Sequence, residues 1–183
     1  MGSDQCTPAH NIIYKDFDKG LKSELVQSYR RIAKQWLDNL EEAYGIKDWA
    51  IQRYPSVRIH LPGNVSVFEF HRDSDYCHPL GEINHFISLT HSTGTASLHI
   101  EHNLGWSDFK PLVLQKNQSA IINTSIFKHG DMLNMEGYTR VSIDFRGLPE
   151  AVLNETKTSH SITKKRRFDC NDYFISSARL LQE

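Results

Sequence analysis

The chain has 183 residues, a formal net charge of -1 at pH 7 and a pI near 6.8. That length carries a full hydrophobic core in one domain without disulfides or a structural metal, and the balanced charge excludes the basic field of a nonspecific nucleic-acid binder. Cys6, Cys77 and Cys170 are odd in number and far apart, so they form neither a disulfide framework nor a paired zinc motif.

Free thiols, no continuous apolar leader and no run of about 18 apolar residues point to a cytoplasmic protein with no membrane partner. From Phe17 to about Tyr44, Leu21, Leu25, Tyr29, Ile32, Trp36 and Leu40 recur at steps of three and four. This predicts one long amphipathic helix, with Gly45 as its stop. Its apolar face can cover the rest of the domain or a second subunit, which leaves the oligomeric state open.

After Gly45 the texture changes to short β-rich segments. The expected strands are 57–61, 65–71, 85–90, 96–102, 111–114, 119–123 and 138–145, with turn residues between them and no helical periodicity. Their spacing predicts a mainly β fold, a sandwich or barrel, of which a cupin-like jelly roll with a long N-terminal supporting helix fits best. Within a single domain over 1–183, residues 1–45 form the helical support, 46–150 the core and 151–183 an extension. The extension carries Lys164, Lys165, Arg166 and Arg167, read as a solvated charged face.

Chemistry concentrates around His71-Arg72-Asp73, at the end of the expected 65–71 strand. Alternation places His71 and Asp73 on one side and Arg72 on the other. With the later His129, these residues make two imidazoles and one carboxylate, the donor set that holds Fe(II) on one face and leaves the other open. Asp75 is a second carboxylate candidate, farther into the turn. Arg140 and Ser142 share a face of the 138–145 strand with Asp144 and Arg146, and a guanidinium beside a hydroxyl can receive the far carboxylate of an organic acid. The bland alternative is an Arg and Asp ladder facing solvent.

These residues resemble the Fe(II)- and 2-oxoglutarate-dependent oxygenase superfamily, whose signature is H-x-D/E, a distal His and an Arg about ten residues later, often followed by x-Ser. The string from His71 through Tyr76, His78, Pro79, Gly81, Glu82 and Asn84, closing on Thr139 to Arg146, resembles a small subgroup typified by an oxygenase of streptomycin biosynthesis. The resemblance spans 57–149. It implies a double-stranded β-helix with His71, Asp73 and His129 as iron ligands, and 2-oxoglutarate held by Arg140 and Ser142. It also implies O2 as the second cosubstrate, with hydroxylation coupled to release of succinate and CO2. Asp73 at the carboxylate position argues against halogenation.

Tyr76, His78, Glu82 and Asn84 follow the dyad where a loop forms the barrel mouth, and they are the candidate contacts for a polar small-molecule substrate. His99, Glu101 and His102 read as a polar strand end. Trp106 either stacks on a ligand ring or caps the core. Against the small-molecule hydroxylase stand a peptidyl side-chain hydroxylase and a non-catalytic cupin-like binding module.

Overall fold

The computed structural model describes residues 7–66, 69–156, 160–161 and 166–182. The expected single helix from Phe17 is a correction: α1 (Pro8–Phe17) and α2 (Glu24–Tyr44) are separate, joined through a short 3-10 turn, Gly20–Lys22. Gly20 takes φ +56, in the left-handed region, and Ser23 starts a new helix by accepting from the Val26 N–H at 3.1 Å. Both residues stop one helix running through. Gly45, at φ +70, ends α2 as expected.

The buried stripe of α2 is Val26, Tyr29, Ala33, Trp36, Leu37 and Leu40, while Leu25 and Ile32 lie exposed beside it. That stripe packs on a six-stranded antiparallel sheet. The strands are β1 (Trp49–Gln52), β2 (Ser56–His60), β3 (Ile83–Ser88), β4 (Leu98–Glu101), β5 (Phe109–Pro111), β6 (Ser119–Ile122), β7 (His129–Asp131), β8 (Arg140–Pro149) and β9 (Phe174–Ser176). The large sheet runs β6-β3-β8-β1-β9, with β2 also paired to β8, and a smaller sheet runs β5-β4-β7.

Alternation along β8 divides the molecule. Phe145 faces Tyr29 and Trp36 of α2, and Ile143 joins the cluster of Phe17, Val26 and Val57. The even residues face the space between the sheets, where Phe86, Leu98, Leu114 and Ile122 make the apolar contact across the layers. Among the described residues the two sheets form a sandwich and do not close into a barrel. The short strands β1, β7 and β9 lie outside the segments expected from alternation. Val67 and Phe68, in the expected 65–71 strand, lie outside the described residues, as do Lys164 and Lys165. Of the rest of that segment, His71 makes an isolated bridge to His129. The segment after the basic run contributes the edge strand β9 and a 3-10 turn, Ser177–Arg179. No helix among the described residues is long and apolar enough to cross a membrane.

Candidate metal centre

The bridge between His71 and His129 builds the site. Each backbone N–H donates to the other's carbonyl, at 3.0 and 2.9 Å, which sets the two residues directly opposite with side chains on one face. Their ring centroids are 4.6 Å apart. Asp73 reaches the same point differently from the expected strand geometry: it opens a 3-10 turn, Asp73–Tyr76, anchored by donation from its N–H to Thr124 O at 2.9 Å. His71 Nε2 and His129 Nε2 lie 3.9 and 3.8 Å from Asp73 Oδ1, and the three donor atoms fall within 4.8 Å of one another. Only a small inward closure lets them share one ion at bond lengths of about 2 Å.

The protonation pattern suits a cation. His71 Nδ1 lies 2.7 Å from Glu69 O and His129 Nδ1 3.3 Å from Phe127 O. A carbonyl only accepts, so Nδ1 donates in both rings and Nε2 is the atom that each ring turns towards Asp73. Burial pushes the His129 imidazole down to about 4, against the pull of Asp73, so the ring is neutral at pH 7. Burial alone would raise the Asp73 carboxyl, but the Arg146 guanidinium outweighs it and holds the group well below the usual carboxylate range. Arg146 donates to both Asp73 oxygens, from Nε at 2.8 Å and Nη2 at 3.1 Å, and Thr124 Oγ1 donates to Oδ2 at 2.5 Å. The carboxylate is thereby fixed in one orientation with its charge kept.

The even face of β8 is buried, not solvent-facing: Arg140 is 1% and Ser142 0% exposed. Arg140 Nη2 donates to Asp131 Oδ2 at 3.0 Å, and its guanidinium sits 5.7 Å from the Phe86 ring centroid. Yet Arg140 Nε and Nη1, and Ser142 Oγ, have no partner among the described residues. Buried donors are rarely left unmade, so three on neighbouring side chains mark the seat of an acceptor. Asp131 stands two residues after His129 on β7, about 7 Å along the strand and on the same face. Arg140 is therefore held one strand period from a triad imidazole.

No protein-family model matches the chain. Over 150 residues it is 31% identical to the streptomycin biosynthesis protein StrG of Streptomyces griseus, an alignment covering 81% of this chain and 66% of that protein. StrG is a sequence relative of this chain. The chain spans just under two thirds of StrG's length. Two solved structures of the non-heme monooxygenase ThoJ, a nickel complex and the apo protein, superpose with TM-scores of 0.48 and 0.49 at 16% and 14% identity. Both superpositions cover 62% of this chain, and 49% and 51% of theirs.

The remaining predicted residues divide. Tyr76 stands edge-on to His71, centroids 5.0 Å apart, beside the triad. Asn84 is buried opposite Arg146 in register, with Oδ1 unpartnered among the described residues. His78 and Glu82 bond each other at 2.8 Å, and Glu82 also stands 3.6 Å from Arg146, so both belong to a buried charge chain behind Asp73. Burial raises the Glu82 carboxyl against the hydrogen bond from His78. Asp75, the alternative carboxylate, is exposed and caps its own turn through the Arg72 N–H. Arg72 points away, its Nε donating to Ile126 O at 2.7 Å.

Glu101 accepts from the Ser107 and Lys128 N–H groups and stands 3.8 Å from Arg72, so it ties the loop after β4 to both flanks of the triad. Trp106 is 77% exposed and caps no core. Thr124, Asp131 and His60 went unnoticed in the sequence. For Asp131 a signal existed: His129-Gly130-Asp131 repeats the spacing of His71-Arg72-Asp73.

Proposed function

We propose that this chain is a non-haem Fe(II)- and 2-oxoglutarate-dependent dioxygenase that hydroxylates a polar small molecule with release of succinate and CO2. The observation that carries the reading is the set of unmade donors on buried Arg140 and Ser142, with Arg140 paired to Asp131 two residues after His129 of the His71, Asp73 and His129 group. A 2-His-1-carboxylate set without thiolates suits Fe(II), and the iron, when bound, supplies activation of O2 coupled to decarboxylation of the cosubstrate. In this reading Arg140 and Ser142 bind the far carboxylate of 2-oxoglutarate, Arg146 and Thr124 keep Asp73 charged and oriented, and Tyr76 and Asn84 border the substrate.

StrG is named for streptomycin biosynthesis, which fits a biosynthetic small molecule as substrate. The finer architecture in this reading is a jelly roll within one domain over 1–183, the two sheets being opposite walls of the double-stranded β-helix.

The test is an anaerobic titration of the metal-free protein with Fe(II) and then 2-oxoglutarate, read by the visible charge-transfer absorbance of the ternary complex. Wild type develops the band, His129→Ala binds no iron, and Arg140→Ala keeps iron but loses the response to 2-oxoglutarate. A folded wild type without the band would instead be a non-catalytic cupin-like module. Succinate release stimulated by peptides and not by small polar metabolites would identify a peptidyl side-chain hydroxylase.

A further inference from the structure

Among the described residues, each guanidinium on the inner face of the large sheet answers to a carboxylate. Arg146 holds Asp73, Arg58 holds Asp144 at 3.1 Å, and Arg140 holds Asp131 at 3.0 Å. The Arg140 and Asp131 side chains are each 1% exposed, so water and salt screen the pair little. The pair is nonetheless incomplete. Arg140 Nε and Nη1, Ser142 Oγ and Asp131 Oδ1 all lack partners among the described residues. His60, directly across from Arg140 in the β2 and β8 register, adds an unpartnered Nδ1. Its Nε2 stands 2.9 Å from Asn64 O and is engaged there. Around the anion seat, Arg140 and Ser142 supply donors, and Asp131 supplies an opposing full charge.

We propose that Asp131 is the specificity-determining countercharge of the cosubstrate pocket, competing with the far carboxylate of a 2-oxo diacid for Arg140 and holding down the affinity for that carboxylate. This rests on the cosubstrate reading of Arg140 and Ser142 above. A carboxylate that takes the free Arg140 nitrogens and Ser142 Oγ comes to share one guanidinium with Asp131. Two like charges then face a single cation in a buried space, and repulsion from the second offsets much of the attraction gained from the first. What the ligand keeps is its hydrogen bonds. Asp131→Asn preserves the shape and an acceptor oxygen for Arg140 Nη2 while removing the charge, so the same seat then meets an unopposed cation.

The experiment uses the full chain loaded anaerobically with Fe(II) and titrated with 2-oxoglutarate and with 2-oxopentanoate, which keeps the chelating end and lacks the far carboxylate. In wild type, 2-oxoglutarate binds no more than about ten-fold tighter than 2-oxopentanoate. Asp131→Asn tightens 2-oxoglutarate by about ten-fold or more, equivalent to about 1.4 kcal/mol, and leaves 2-oxopentanoate unchanged. Unchanged or weaker 2-oxoglutarate binding in Asp131→Asn overturns the proposal, as does a wild-type preference for the diacid above about ten-fold. If the variant does not fold, the wild-type comparison decides alone. Failure of both acids to bind iron-loaded wild type defeats the cosubstrate reading itself, whereas firm 2-oxoglutarate binding that Asp131→Asn does not tighten removes only the countercharge.

Discussion

Replacing Arg146 by Met keeps much of the side-chain volume and removes the cation at the centre of the buried charge network. In the native protein this guanidinium makes two bonds to Asp73, at 2.8 and 3.1 Å, stands 3.4 Å from Asp144 and 3.6 Å from Glu82, and is 5% exposed. Its loss leaves Asp73 as a buried carboxylate without its cation, and breaking a buried pair from one side costs about 3–5 kcal/mol. For a chain of this length that is a fall in Tm of roughly 10 °C. A divalent ion at the triad supplies the charge that the guanidinium took away, so it binds a more negative site in the variant. Excess Mn(II) or Co(II) stabilises both proteins and the gap narrows only by their difference, so about 100-fold tighter binding to the variant would recover about 2.7 kcal/mol of it. The assay is thermal unfolding of wild type and Arg146→Met in chelator and in excess metal. A loss under 2 °C in chelator, or an equal loss with and without metal, would refute the reasoning.

Two further perturbations probe the same framework. A Cβ on Gly130 would lie 3.1 Å from the Phe70 Cα, so Gly130→Ala presses on the segment that carries His71. Co(II) affinity should fall about ten-fold or more with only a modest loss of Tm, as for groups that orient metal ligands, and an unchanged Kd would mean the segment yields. His85, stacked on Trp36, has its imidazole pushed down to about 4 by burial, from an ordinary 6.5. The unfolded chain takes up this proton first as pH falls, so stability is lost between pH 6.5 and 4 and changes no further below that. In His85→Leu the urea-unfolding free energy should drop less between pH 7 and 4, by about 2 kcal/mol after allowing for partial exposure, and identical pH slopes would count against burial as the cause.

How much was legible in the amino-acid order depends on the range of the interaction concerned. The two faces of β8 followed from alternation, which is a property of the pleated backbone at each residue. So did the turn at Gly45, where φ is +70. The residue types of the triad were likewise evident, because two imidazoles and a carboxylate announce their chemistry wherever they meet.

The break in the N-terminal helix was harder to see, since Gly20 and Ser23 each fit a continuous helix at modest cost and only together make a stop. Strand β7 spans His129–Asp131 alone, too short for any period-two pattern to register. That Asp73 would arrive from a turn, that Arg146 would clamp it and that Asp131 would face Arg140 all depend on strands distant in sequence lying opposite one another. Hydrophobic patterning alone leaves the polar face of β8 open to water, yet that face is buried in the folded chain. Which side chains share a strand face is settled by local backbone geometry and can be read from residue order. What each face meets is set on folding, because sheet pairing and layer packing are long-range and no local periodicity encodes them.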